Sequence, residues 1–174
     1  MTKIKVNLEA FYGYGHGCSY GSKDTIELEI SEQELETLQK FGTKEISCEE
    51  VVEAIENGET TLKPLHEKLE EKFYYMVEEY WLFEAYNEFL RENLEKYIEQ
   101  DIEDKLYTPV LEDEEDSEGI YDDDEDSEEC NRYDLNHYYE WIRLQGHDFA
   151  ADRVGVDILA IRENEEVDYT IMLE

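Results

Sequence analysis

Apolar and polar residues alternate strictly in two stretches near the N-terminus. Ile4, Val6, Leu8 and Ala10 share one face of residues 3–12, with Lys5, Asn7 and Glu9 on the other. Ile26, Leu28 and Ile30 oppose Glu27 and Glu29 over residues 24–30. A period of two predicts half-buried strands. The Gly-rich stretch between them, from Gly13 to Gly21, predicts a β-hairpin with a mobile connection. Near the C-terminus Val154, Val156, Ile158 and Ala160 alternate, as do Val167, Tyr169, Ile171 and Leu173, with Asn164 between. That pattern predicts a second hairpin.

The middle of the chain changes period. Ser31 with Glu34, and Ser47 with Glu50, are capping boxes that start two short helices, ended by Gly42 and by Asn57-Gly58. Thr60 or Thr61 caps the next helix, with Pro64 in its first turn. Leu65, Leu69, Phe73, Met76, Tyr80, Phe83, Leu90, Leu94, Ile98 and Ile102 then recur at helical spacing, widened by further aromatics. Unbroken, such a helix of about 40 residues is roughly 60 Å long. It therefore breaks, around Glu84 to Asn87, or projects. Asp134 or Asn136 starts a further helix through Tyr138, Tyr139, Trp141, Ile142 and Leu144. The order ββ, helices, helix, ββ predicts one α+β domain over residues 1–174. Its antiparallel sheet is built from N- and C-terminal hairpins, packed with helices that include one long aromatic-rich amphipathic helix. An acidic low-complexity insertion interrupts it at 107–134.

Charge changes the picture most. Forty-nine acidic residues against 15 basic ones give a net charge of −34. Residues 1–30 carry −1, residues 31–106 carry −14, residues 107–129 carry −13 and residues 130–174 carry −6. Lys and Arg are scattered singly, so no basic patch suits direct nucleic-acid binding, and an anionic membrane surface repels such a chain. No run of about 18 apolar residues is present to span a membrane. Cys18, Cys48 and Cys130 are odd in number and widely spaced. They read as free thiols of a cytoplasmic protein.

Candidate chemistry is sparse. Gly13, Gly15, Gly17 and Gly21 do not form a dinucleotide or phosphate loop, because the spacing is wrong and a strand follows. Tyr12, Tyr14 and Tyr20 near the hairpin tip are candidate aromatic contacts. His137 with Glu140, and His147 with Asp148, each lack the further partners a metal site or a nucleophilic centre needs. Glu114, Asp116, Glu118, Gly119, Asp122 and Glu125 fall on an EF-hand spacing, but with Glu at the first ligand position and Tyr121 where an aliphatic residue belongs. The chain is therefore read as non-enzymatic, without metal or cofactor.

The acids themselves are the candidate site. Glu84, Glu88, Glu92, Glu95, Glu99 and Glu103 recur at steps of three and four, a carboxylate stripe with neighbours roughly 5–6 Å apart. Glu112, Asp113, Glu114, Glu115, Asp116, Asp122, Asp123, Asp124, Glu125 and Asp126 add a second block. In charge, size and lack of a catalytic signature the chain resembles the small acidic DNA-mimic proteins with which phages and mobile elements counter restriction or CRISPR nucleases. The resemblance implies an inhibitor that occupies a basic groove of a nucleic-acid-binding protein. No motif aligns, so no site residue carries over. The alternatives are an acidic adaptor or chaperone shielding a basic protein, and a weak divalent-cation-binding module. The oligomeric state stays open.

Overall fold

Three of the four period-two stretches join one antiparallel sheet. The computed structural model describes residues 1–89, 91–111 and 133–174; the side chains of residues 88, 89 and 91–95 lie outside the description. Strands β1 (Thr2–Gly15) and β2 (Cys18–Ile30) form the N-terminal hairpin. Helix α1 (Glu32–Gln39), the short strand β3 (Glu45–Ser47) and helix α2 (Cys48–Glu56) follow. A 3-10 turn at Thr60–Leu62 leads into α3 (Lys63–Phe89), and α4 spans Arg91–Glu103. Beyond residues 112–132, α5 (Leu135–Leu144), α6 (His147–Val154), α7 (Ile158–Asn164) and strand β4 (Tyr169–Met172) complete the described chain. The sheet order is β2-β1-β4-β3.

The chain divides into two compact units, residues 1–81 with 158–174, and residues 82–157. In the first, β4 pairs antiparallel with β1, Lys5 opposite Met172 and Leu8 opposite Tyr169. Ile4, Val6, Leu8, Leu28, Ile30 and Ile171 on the sheet pack against Leu38 of α1, Val51 of α2, and Leu65 and Leu69 of α3. The opposite sheet face carries Lys3, Lys5 and Glu9 from β1 and Glu27 and Glu29 from β2, all exposed. Both capping boxes form: the Ser31 and Ser47 hydroxyls accept from the Glu34 and Glu50 backbone N–H groups, and each Glu carboxylate accepts from the cap's own N–H. In the second unit Leu82, Tyr86, Ile98, Tyr138, Tyr139, Ile142, Ala150 and Val154 are buried.

The structure corrects the sequence reading in four places. The C-terminal hairpin is a single strand, because residues 147–154 and 158–164 are helical. Ala150, Ala151 and Val154 are buried together on α6, and Gly155 ends that helix in the left-handed conformation (φ 70°). Asn164 ends α7, donating to the Ala160 carbonyl at 2.8 Å, rather than sitting in a hairpin turn. Helix α3 runs unbroken through Glu84 to Asn87, and the next helix begins at Arg91. The apolar stripe does not stay on one face. Leu65, Leu69, Phe73 and Val77 are buried, but then Leu82 and Tyr86, while Phe83 is exposed. From Leu65 to Val77 each step of four over-rotates by about 40°, so the buried line drifts around the helix. Lastly, the Gly-rich stretch is mostly paired strand: only His16 and Gly17 lie between Gly15 and Cys18. Both have positive φ, 50° and 79°. That is the two-residue turn whose twist suits a tight hairpin.

Candidate functional site: acidic and aromatic surfaces

Capping and register place the charged groups. Of the predicted carboxylate stripe, Glu84 lies half-buried on α3, and Glu99 and Glu103 are exposed one turn apart on α4. Glu88 lies on α3 and Glu92 and Glu95 on α4, with side chains outside the described residues. The acidic block from Glu112 to Asp126 falls wholly outside the described residues. Its attachment does not. Leu111 bridges Tyr133 in antiparallel fashion, and the Asp134 N–H donates to the Val110 carbonyl at 2.8 Å. Both ends of the insertion are therefore held side by side next to the start of α5, whose first turn Asp134 caps through His137 N–H at 3.0 Å. Among the described residues no cluster of three or more His, Cys, Asp or Glu is arranged to hold a metal ion. His137 Nδ1 instead meets the Tyr107 hydroxyl at 2.8 Å, and Glu140 lies 3.9 Å from Arg143.

The cations are turned to internal use. In the second unit Arg153 grips Asp101, Nη2 to Oδ1 at 2.7 Å and Nε to Oδ2 at 3.4 Å. The Asp101 side chain is 1% exposed. The Tyr138 hydroxyl donates a short hydrogen bond to the same carboxylate. Burial and this carboxylate hold the Tyr138 phenol well above its usual range, and the Asp101 hydrogen bond raises the Arg153 guanidinium further. The guanidinium lies over Phe149, 4.6 Å from the ring centre. In the first unit Arg162 Nε meets Glu78 Oε1 at 2.5 Å, with the Glu78 side chain 3% exposed. On the surface Lys3 pairs with Glu27, Lys5 with Glu174, Lys23 with Glu9, Lys40 with Glu59 and Lys63 with Glu67. Counting Arg143 as well, at least eight of the 15 lysines and arginines pair with a carboxylate among the described residues.

The three predicted tyrosine contacts do not make one patch. A bulge between Phe11 and Gly13 resets the pleat. Tyr12 turns inward, stacks on Tyr80 at 4.5 Å and lies 5.0 Å from Trp81, with its hydroxyl on Ser22 Oγ at 3.0 Å. Burial pushes its phenol up to about 12. Beside it Glu165 is raised by burial, which the hydrogen bond from Trp81 opposes only in part. Tyr20 lies over Gly13, filling the space a Cβ would occupy. Tyr14 stands on the other face with Phe11, ring centres 5.0 Å apart, at 80% and 59% exposure. Phe11 was missed because only the bulge reveals which face it joins.

The chain matches no family model, no curated protein and no solved structure. No described helix is long and apolar enough to cross a membrane.

Proposed function

We propose that this protein is an acidic binder of a cationic protein surface, of the kind that otherwise holds nucleic acid. The observation that supports it most is the internal use of the cations. With a charge of −34 and at least eight basic groups tied to carboxylates, the field that reaches solvent is anionic. Glu99 and Glu103 on α4 and the insertion anchored at Leu111 and Tyr133 belong to the same unit. Double-stranded DNA presents one charge per about 1.7 Å of axis, both strands counted, so several such carboxylates acting together are needed to approach it. Such an interface associates fast at low salt and weakens as ions screen it.

The test is competition. Labelled duplex DNA is bound by each of a panel of nucleases, and the protein is titrated in at about 50 mM and about 500 mM salt, well below and well above physiological screening. Stoichiometric displacement of DNA from at least one nuclease, lost at the higher salt, supports the reading. Absence of displacement throughout the panel at low salt overturns nucleic-acid mimicry.

A further inference from the structure

Strand β2 has 13 residues and stands at the end of the sheet. Which of its backbone groups face outward follows from the ladder. The Glu9 N–H donates to the Asp168 carbonyl at 3.3 Å, so the odd residues of β1 turn their backbone groups to β4. The even residues Ile4, Val6, Leu8 and Ala10 therefore turn theirs to β2, meeting Leu28, Ile26, Asp24 and Ser22. Beyond the bulge Gly13 meets Tyr20 and Gly15 meets Cys18, so the even residues of β2 remain the paired ones. Ser19, Gly21, Lys23, Thr25, Glu27 and Glu29 are left with N–H and C=O directed away from the sheet. All six are exposed. Among the described residues no strand pairs with this edge and no other backbone hydrogen bond reaches it.

A free edge of this length is a template for another strand, and proteins usually blunt one with proline, lysines, a bulge or a cover. Here β2 has no proline and a single lysine, Lys23, already paired with Glu9. Asp24, Glu27 and Glu29 make the strand anionic. Glu27 pairs with Lys3 at 3.6 Å, both side chains exposed, an interaction that costs little to exchange. A second copy of the chain would bring another −34 to the edge. We infer that the outer edge of β2 receives an extended, lysine- or arginine-bearing segment of the partner, added as a fifth, antiparallel strand. Its basic side chains lie on the open sheet face beside Glu27 and Glu29, and its end runs toward the exposed Phe11 and Tyr14 pair. Backbone pairing gives affinity and the alternate side chains give selectivity. This rests on the reading of the protein as a binder of a cationic partner and says where and how the partner is held.

The probe is an octapeptide of alternating lysine and valine, measured by calorimetry at low salt against two N-methylated forms of itself. Residues directly opposite in an antiparallel pair share a face, so lysines beside the glutamates place the lysine amides in the ladder. Methylating the lysine amides is expected to weaken binding at least tenfold; methylating the valine amides leaves it within twofold. Thr25→Pro, which removes one outward N–H, is expected to weaken the unmodified peptide similarly with an unchanged circular dichroism spectrum. Equal binding of all three peptides overturns strand addition and leaves the cationic-partner reading standing. No binding by any of them overturns both. A free chain that sediments as a dimer, and becomes a monomer on Thr25→Pro, assigns the edge to a second copy and overturns the inference.

Discussion

Asp101, which is buried, and Glu165, which is half-buried, show two opposite treatments of a carboxylate. Asp101 receives a two-point grip from Arg153 and a proton donor from Tyr138, so its charge is matched in place. Removing one member of such a pair leaves the other desolvated and uncompensated, a far larger loss than an exposed pair represents. Glu165 receives one indole hydrogen bond from Trp81, which does not offset the burial that lifts its pKa above 4.5. A raised carboxyl binds its proton more tightly in the folded state, so its contribution falls as pH rises through the interval from the ordinary value to the folded one. Glu165→Gln keeps an acceptor for Trp81 and removes the charge. The substitution is expected to raise the thermal midpoint relative to the parent at pH 7. The advantage shrinks below pH 4.5, where both carry no charge at this position. Paired melts from pH 4 to 8 check the sign.

Within the hairpin the decisive features lie beyond the main sheet. Strand β4 reaches only from Lys5 to Leu8 on β1, so past Ala10 strands β1 and β2 form a two-stranded ribbon. Two strands alone are marginal in water. Tyr12 stacked on Tyr80 and packed against Trp81 fastens this ribbon to α3. The bulge that turns Tyr12 inward brings the Ala10 carbonyl oxygen to 1.9 Å from where a Cβ on Gly21 would stand. Gly21→Ala is therefore expected to cost roughly 1–3 kcal/mol in denaturant unfolding, the range for forced overpacking. Amide protection should fall at residues 18–22 and persist at Val6 and Ile26; uniform protection along the hairpin would count against the bulge. Alternation at Ile4 to Ala10 and at Ile26 to Ile30, and both capping boxes, were legible because they depend on neighbours two or three residues away. The bulge, the 3-residue strand β3 and helices α6 and α7 were not, because their patterns are too short to separate one period from another.

Over the whole chain, the surplus of 34 negative charges opposes compaction, and added ions screen that repulsion over roughly 8–10 Å. The denaturation midpoint is expected to rise between about 10 mM and about 300 mM sodium chloride, the interval in which that length shortens below typical surface spacings. A flat or falling midpoint would mean that the ion pairs lost to screening outweigh the repulsion relieved. The same screening weakens a cationic partner, so stability and binding are expected to move in opposite directions with salt. That opposition separates a charge kept for solvation alone from one used in recognition.

Composition by itself determined the net charge of −34 and the threefold excess of acidic over basic residues, since these are sums over residues and need no geometry. Periodicity determined the N-terminal strands, the capped helices and the α+β class, because burial of one face imposes its period on the sequence. Tertiary structure alone decided that Arg153 and Arg162 turn to Asp101 and Glu78, residues 52 and 84 positions away. It decided that Tyr12 is anchored while Tyr14 is offered, and that β2 is an edge with six outward-facing residues. Each of these depends on which distant segments meet, and no local pattern of side chains encodes the outcome of that meeting.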